Sequence, residues 1–368
     1  MKIKSEVLQR MVAKVVQGCS NNKMLPLTSL IGITCCDGLL TLTTTDGSCV
    51  FEVKEKVAEL DGAGNFYSIV NAEQFAKLIS KTTKEYVELH NNENYLEVVG
   101  NGTYKLDIAI NEEGQLVQFK PEPVISENTK QFEVNIADLQ NAIKVAKASI
   151  AKTMEIPFLT GYLICDEVVT TDRQLVCKLE KLILPEPVLI SSVMADLLML
   201  FDLDADDKLV LYKQDNTLMF SCKKYCLFGN ELEGKEDFVD KIVIAINNLT
   251  SLAYTNTATV SKQELLGILD RMEVFVSDYD KNSVFLRFDS ASHSMQVQSR
   301  KSNAIEELRL KDTDVVGDFE YLVDIEMLKS QLQSLSSDEV HIQYGNQKSI
   351  QLKENELTLV IALLDKEE

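Results

Sequence analysis

The chain has 368 residues, more than one hydrophobic core usually serves, so two or three domains are expected. With 45% apolar and 26% charged residues it is not a disordered chain, and no apolar run approaches the ~18 residues needed to cross a bilayer. A net charge of −20 argues against nucleic-acid binding by the surface as a whole. It leaves an acidic interaction protein, or one whose positive charge is gathered on a single surface.

The first residues, Met1-Lys2-Ile3-Lys4-Ser5, lack the apolar stretch of a signal peptide, so a cytoplasmic protein without membrane contact is expected. The eight cysteines mostly sit in apolar runs and read as small hydrophobes rather than as a disulfide framework. Cys222-x-x-x-Cys226 has no second Cys or His pair nearby, so neither a metal nor another cofactor is expected.

One pattern recurs along the chain: a short apolar strand, a small polar residue, then an amphipathic helix. Met1–Lys4 leads into a helix from Ser5, Phe66–Val70 into one from Asn71, and Gln131–Val134 into one from Asn135. Pro187–Ile190, Thr257–Val260 and Tyr321–Val323 lead into helices from Ser191, Ser261 and Asp324. Ser, Asn and Asp cap the free N–H groups of a helix start, and Glu264 follows Ser261 at capping-box spacing. Apolar residues at i, i+3, i+4 and i+7 give each helix the stripe of one lying on a sheet. The segments between are strands by alternation and β-branched content, as in residues 39–46, 47–53, 208–212, 283–288 and 340–344. Asp37-Gly38, Asp46-Gly47 and Asn101-Gly102 are hairpin-turn signals. Gln118–Lys130, with Pro121 and Pro123, reads as a linker, and the charged stretch Gly229–Lys241 as a second. Six units of roughly 60 residues then form three domains of two units each: 1–122, 123–241 and 242–368.

Several stretches fall in a known order: Leu25-Pro26-Leu27, then Asp37-Gly38-Leu39-Leu40-Thr41-Leu42 with Thr45-Asp46, then Phe158-Leu159-Thr160-Gly161, Thr171-Asp172 and Val360-Ile361-Ala362-Leu363-Leu364. Collinear over the whole chain, they resemble the bacterial-type DNA polymerase sliding clamp, the DNA polymerase III beta subunit. The resemblance implies an α+β fold of three similar clamp-type domains, each with two helices on antiparallel sheets, assembled as a head-to-tail homodimeric ring. It implies a non-enzymatic processivity factor whose partners are double-stranded DNA, a DNA polymerase and a clamp loader. There are departures. Thr171-Asp172-Arg173-Gln174-Leu175 is one residue shorter than the family's TDGHRL, Glu236-Asp237 stands where the family has FP, and the tail runs on as Asp365–Glu368. They mark a divergent member, with a phage genome as one source.

In the family, helices line the hole, so charge tests the resemblance. The six helix windows hold eleven basic and ten acidic residues and sum to +1, while the rest of the chain sums to −21. In the first helix Val7, Leu8, Met11, Val12, Val15 and Val16 form the stripe, with Arg10 and Lys14 opposite. Phe75, Leu78 and Ile79 face a sheet in the second, away from Lys77, Lys81 and Lys84. Ile136, Leu139, Ile143 and Ile150 pack in the third, away from Lys144, Lys147 and Lys152. With Lys23, Arg271 and Lys329 these cations are the candidate DNA contacts, although polar faces of surface helices carry lysines in any protein.

By family position, a groove for short apolar partner peptides would take in Leu159, Thr171, Asp172, Arg173, Leu175, Ile242, Val360, Ile361, Leu363 and Leu364. Core roles for Leu159, Leu175 and Val360 compete with that reading. The dimer junction would set Leu106 and Ile108 against Val274 and Phe275, and a core role for these four competes with that reading. The three histidines, His90, His293 and His341, lie in no nucleophile motif, and no phosphate-binding glycine loop occurs, so no catalytic residue is proposed. The alternative is an acidic α+β scaffold or DNA mimic that encircles nothing. Six units disfavour a two-domain trimeric clamp.

Overall fold

A computed structural model describes all residues except 21, 58–64, 278–281, 302, 312, 315–316 and 366–368. The tail reading therefore falls outside the described residues beyond Asp365. Eight helices are present among them: α1 (Ser5–Val15), α2 (Ala72–Ser80), α3 (Ile136–Ala146), α4 (Ser192–Leu198), α5 (Lys235–Asp237), α6 (Ile244–Thr250), α7 (Lys262–Met272) and α8 (Ile325–Ser334). None is long and apolar enough to span a membrane.

The chain divides into two compact units, Met1–Ile136 with Val193–Glu231, and Ala137–Ser192 with Leu232–Glu368. The first holds an eight-stranded antiparallel sheet in the order Phe66–Asn71, Leu30–Cys36, Leu39–Thr45, Cys49–Lys56, Tyr225–Asn230, Thr217–Ser221, Leu209–Gln214, Lys130–Val134. It also holds a four-stranded sheet, Lys2–Lys4, Tyr86–Asn91, Tyr95–Val99, Thr103–Asp107. The second unit repeats the scheme. Its larger sheet runs Val188–Ser191, Gly161–Ile164, Val168–Thr171, Leu175–Leu179, Leu357–Ala362, Ser349–Glu354, Glu339–Tyr344, Asn256–Ser261 and the short Thr313–Asp314. Its four-stranded sheet runs Ile305–Arg309, Ser294–Ser299, Ser283–Asp289, Phe319–Asp324. The α+β class with helices on antiparallel sheets is as expected.

The six expected helices are α1, α2, α3, α4, α7 and α8, and each is followed by a meander of three strands. Their stripes are buried: Leu8, Met11, Val12 and Val15 on α1, Phe75 and Ile79 on α2, Leu139 and Ile143 on α3. The side chains of Asn71, Ser261 and Asp324 accept the N–H groups of Gln74, Glu264 and Met327 at 2.9, 3.4 and 2.9 Å, as caps do. Ser5 does not cap α1. It is the first helical residue, with Lys4 in extended conformation before it.

Asp37 and Gly38 take φ of 49° and 82° at a two-residue hairpin turn, the conformation this pair favours. Residues 118–129 contain neither helix nor strand, as a linker would. Residues 229–241 are not the irregular stretch that their charge suggests. A strand runs to Asn230, and α5, a π-helical stretch Phe238–Val243 and α6 form one helical segment from Lys235 to Thr250. Its charged residues conceal an apolar face at Phe238, Ile242, Ile246 and Leu249. Phe238 is wholly buried there, in a cluster with Leu159, Val176 and Val360.

Candidate functional site: charged helices, an apolar pocket and two open sheet edges

The eleven candidate cations fall into two groups. The first is tied to the protein's own carboxylates. Lys14 Nζ lies 2.6 Å from Asp202 and donates to the Tyr225 hydroxyl at 2.6 Å and the Leu200 carbonyl at 3.0 Å. The Tyr225 hydroxyl donates to Asp202 as well. Burial pushes the Tyr225 hydroxyl pKa up, and its bond to Asp202 adds to that. Burial would raise Asp202, but the bonds from Lys14 and Tyr225 outweigh it and hold the carboxyl low. Arg271 donates two bonds to Glu306, at 2.8 and 2.6 Å, the fork geometry guanidinium favours. Lys329 sits 2.6 Å from both Asp270 and Glu273. Arg10 approaches Glu55 at 3.4 Å, and Lys77 pairs with Glu73 one turn before it.

The second group is exposed. Lys23, Lys81, Lys84, Lys144 and Lys152 make no ion pair among the described residues, and Lys147 is exposed beside them in sequence. Cations without an ion pair among the described residues thus gather at Lys81 and Lys84 after α2 and at Lys144 and Lys152. Of the eleven, Arg10, Lys14, Lys77, Lys144, Arg271 and Lys329 lie on helices, while Lys23, Lys81, Lys84, Lys147 and Lys152 lie outside the α-helices. Periodicity could not reveal the neutralising partners, because Glu55, Asp202 and Glu306 arrive from distant segments.

The second unit carries two clefts that share Arg173 and Gln174. One, of about 560 Å³, is lined by Leu159, Asp172 and Leu175 and by Lys147, Lys152 and Met327. The other, of about 320 Å³, has Val176, Leu249, Leu252 and Val360 among its walls. Of the expected groove residues, Leu159, Thr171, Leu175, Val360 and Ile361 are buried in the core of this unit. Leu363 and Leu364 are half-buried, and Ile242 packs on the core cluster. Arg173 is exposed and borders both clefts. Sequence reading missed Leu249 and Leu252. The signal was the helical spacing from Phe238 onward, hidden by the surrounding charge.

The turn bearing Arg173 repeats one in the first unit. Thr45 and Thr171 donate to the carbonyls of Cys49 and Leu175 at 2.6 and 2.7 Å. Their hydroxyls accept the N–H groups of Gly47 and Arg173, both at 3.0 Å. Asp46 and Asp172 each accept two further backbone N–H groups. Gly47 has φ of 99° and Arg173 has φ of 82°, a region that favours glycine.

Among the described residues the four sheets have eight end strands, and two of these are the third strands of their meanders. In each of the six meanders the third strand has one place in the scheme. Cys49–Lys56 pairs antiparallel with Tyr225–Asn230, and Leu175–Leu179 with Leu357–Ala362. The remaining third strands, Thr103–Asp107 and Ile305–Arg309, end their sheets. Tyr104 and Ile305 are 40% and 54% exposed on them, and Val274 and Phe275 are 79% and 47% exposed after α7. Leu106 and Ile108 are buried in their own chain.

Glu52, Glu122 and Cys226 also lie close enough to suggest a metal-binding trio. The cation there is Lys54, whose ammonium pairs with both carboxylates, at 3.1 Å for Glu52. Burial raises the Glu52 pKa to about 7, and the hydrogen bond with Glu122 adds to the rise.

No protein-family model matches the sequence, and no curated protein matches it significantly. Solved structures do. The chain superposes on the Bacillus subtilis DNA polymerase sliding clamp with a TM-score of 0.84 at 16% identity, covering 99% of this chain and 98% of that one. For the Thermotoga maritima DNA polymerase III beta subunit the TM-score is 0.83 at 14% identity, over 99% and 98% of the two chains. For the Helicobacter pylori beta clamp bound to a DNA ligase peptide it is 0.80 at 15% identity, over 99% of each. The fold is that of the bacterial sliding clamps. In particular it is the fold of the DNA polymerase III beta subunit, kept over the full chain with few shared residues.

Proposed function

We propose that this chain is a sliding clamp, a non-enzymatic processivity factor. Two copies would close head to tail around duplex DNA and tether a replicative polymerase, with a clamp loader opening the ring. The observation that carries the reading is the pair of third strands that end their sheets, Thr103–Asp107 and Ile305–Arg309. Two of the three places where third strands can meet are already joined within the chain. Joining Thr103–Asp107 of one copy to Ile305–Arg309 of another would fill the remaining place by the same pairing. A contact between two different surfaces that closes gives a ring rather than a filament. The division into domains 1–122, 123–241 and 242–368 belongs to this proposal.

Charge supports it. A sparse set of flexible lysines attracts phosphates without reading sequence, which suits a protein that must slide. The acidic remainder would keep DNA off other surfaces. The clefts around Arg173 are the proposed seat of short apolar partner peptides, a role the Helicobacter pylori complex suggests by analogy. The test is retention: the protein loaded on nicked circular DNA should be lost on linearisation. It should also bind short open-ended duplexes poorly, and nanomolar affinity for such an oligonucleotide would contradict the reading.

A further inference from the structure

The smaller cleft has an unusual charge for this molecule. The chain carries 57 acidic and 37 basic residues. The cleft is nevertheless lined by two cations, Arg173 and Lys348, and by no carboxylate. Its walls are otherwise apolar or neutral, with Val176, Leu249, Leu252 and Val360 supplying the apolar part.

Both cations are held by their backbones while their charges stay loosely engaged. Arg173 is fixed at positive φ by the Thr171 and Asp172 turn. Lys348 accepts the Leu363 N–H on its carbonyl at 3.0 Å, and the neighbouring Gln347 side chain donates to the Ala253 carbonyl at 2.6 Å. Arg173 reaches Glu155 only at 3.5 Å, and Lys348 reaches Asp365 only at 3.7 Å. All four side chains are more than half exposed. Such distances exceed a direct charge-assisted hydrogen bond, so both cations remain available to an incoming anion.

We infer that this cleft selects an apolar peptide carrying a carboxylate beside its anchor, with Arg173 and Lys348 as the recognising groups. The inference rests on the peptide-groove reading proposed above and adds a charge preference to it. The apolar walls favour a peptide over a nucleic-acid phosphate as the source of the anion.

The test uses three fluorescein-labelled, C-terminally amidated peptides that share a Leu-Ala-Leu core and differ only in flanking Glu, Gln or Lys. Anisotropy on the full chain at low salt should show the Glu form binding roughly three- to tenfold tighter than the Gln form, and the Lys form weakest. Arg173→Gly should move the Glu-to-Gln ratio toward one while the unfolding temperature holds or rises, because glycine suits that φ. Lys348→Gln should reduce the ratio independently. Equal affinities for the three peptides, or a ratio unchanged in the double variant, would overturn the charge preference and leave the groove reading standing. Failure of all three to bind at millimolar concentration would overturn the groove reading and this inference together. Displacement of the Glu peptide by a short DNA duplex, abolished by Arg173→Gly, would overturn the inference in favour of a phosphate ligand.

Discussion

The strands Cys49–Lys56 and Thr103–Asp107 hold the same place in their meanders yet meet different fates. The first is paired on both sides, and Cys49 through Val53 are all buried. The second is paired on one side only, and of its five residues only Leu106 is buried. The difference shows that the same strand of the repeat is joined to another third strand in one place and ends its sheet in the other. Under the proposed ring, the second strand would be joined as the first is.

Breaking a closed seam should cost the most. Leu227 lies wholly buried on Tyr225–Asn230, and Leu227→Asp should destabilise the first unit by about 3–5 kcal/mol or prevent folding, as read by chemical denaturation. The exposed pair after α7, expected at the junction between copies, should respond differently. Val274→Asp with Phe275→Asp alters exposed residues, so the chain should fold with an unchanged unfolding temperature. Light scattering should then show the mass falling from twice 41.3 kDa to once that value at micromolar protein.

The charged helices sharpen the contrast between tied and free cations. Each of Lys81→Ala, Lys84→Ala, Lys144→Ala and Lys152→Ala should lower the slope of log affinity against log salt for DNA by up to about 0.9. Arg271→Gln and Lys329→Gln should change that slope little, since those cations already answer carboxylates.

The Glu52 pair predicts a pH effect at a closed seam. Its pKa stands at about 7 in the folded chain against 4.5 ordinarily, so the folded state holds the proton more tightly. That stabilisation is complete below pH 4.5 and is lost as pH rises through about 7. The unfolding temperature of the wild-type chain should therefore fall between pH 5 and pH 8 relative to Glu52→Gln. Parallel curves would show that Glu52 holds no extra proton in the folded state. The smallest effect is expected at Arg173→Gly, a gain of up to about 1 kcal/mol from relief of the left-handed backbone.

Much of this was legible from sequence because it is periodic. The stripes on α1, α2 and α3 and the caps at Asn71, Ser261 and Asp324 follow from local chemistry, and the structure places them as read. The helical segment from Lys235 to Thr250 was lost because charge at 235–237 and 240–241 resembles a solvated linker, while the anchoring residue Phe238 packs on strands far away in sequence. The same limit hid the carboxylates that tie Lys14, Arg271 and Lys329. The residues expected in a peptide groove were ambiguous for a further reason. Leu159, Leu175 and Val360 alternate as core strand residues must, and they are core, so only the exposed Arg173 and the walls at Leu249 and Leu252 distinguish a pocket from a sheet.

The most direct test of the central claim is the solution mass by light scattering, taken with retention on nicked circular and linearised plasmid from one preparation. Ring closure predicts a mass near twice 41.3 kDa and loader-dependent retention that disappears on linearisation. A monomer, or equal retention on the two plasmids, would contradict ring closure through Thr103–Asp107 and Ile305–Arg309 and favour an acidic scaffold that shares the clamp fold.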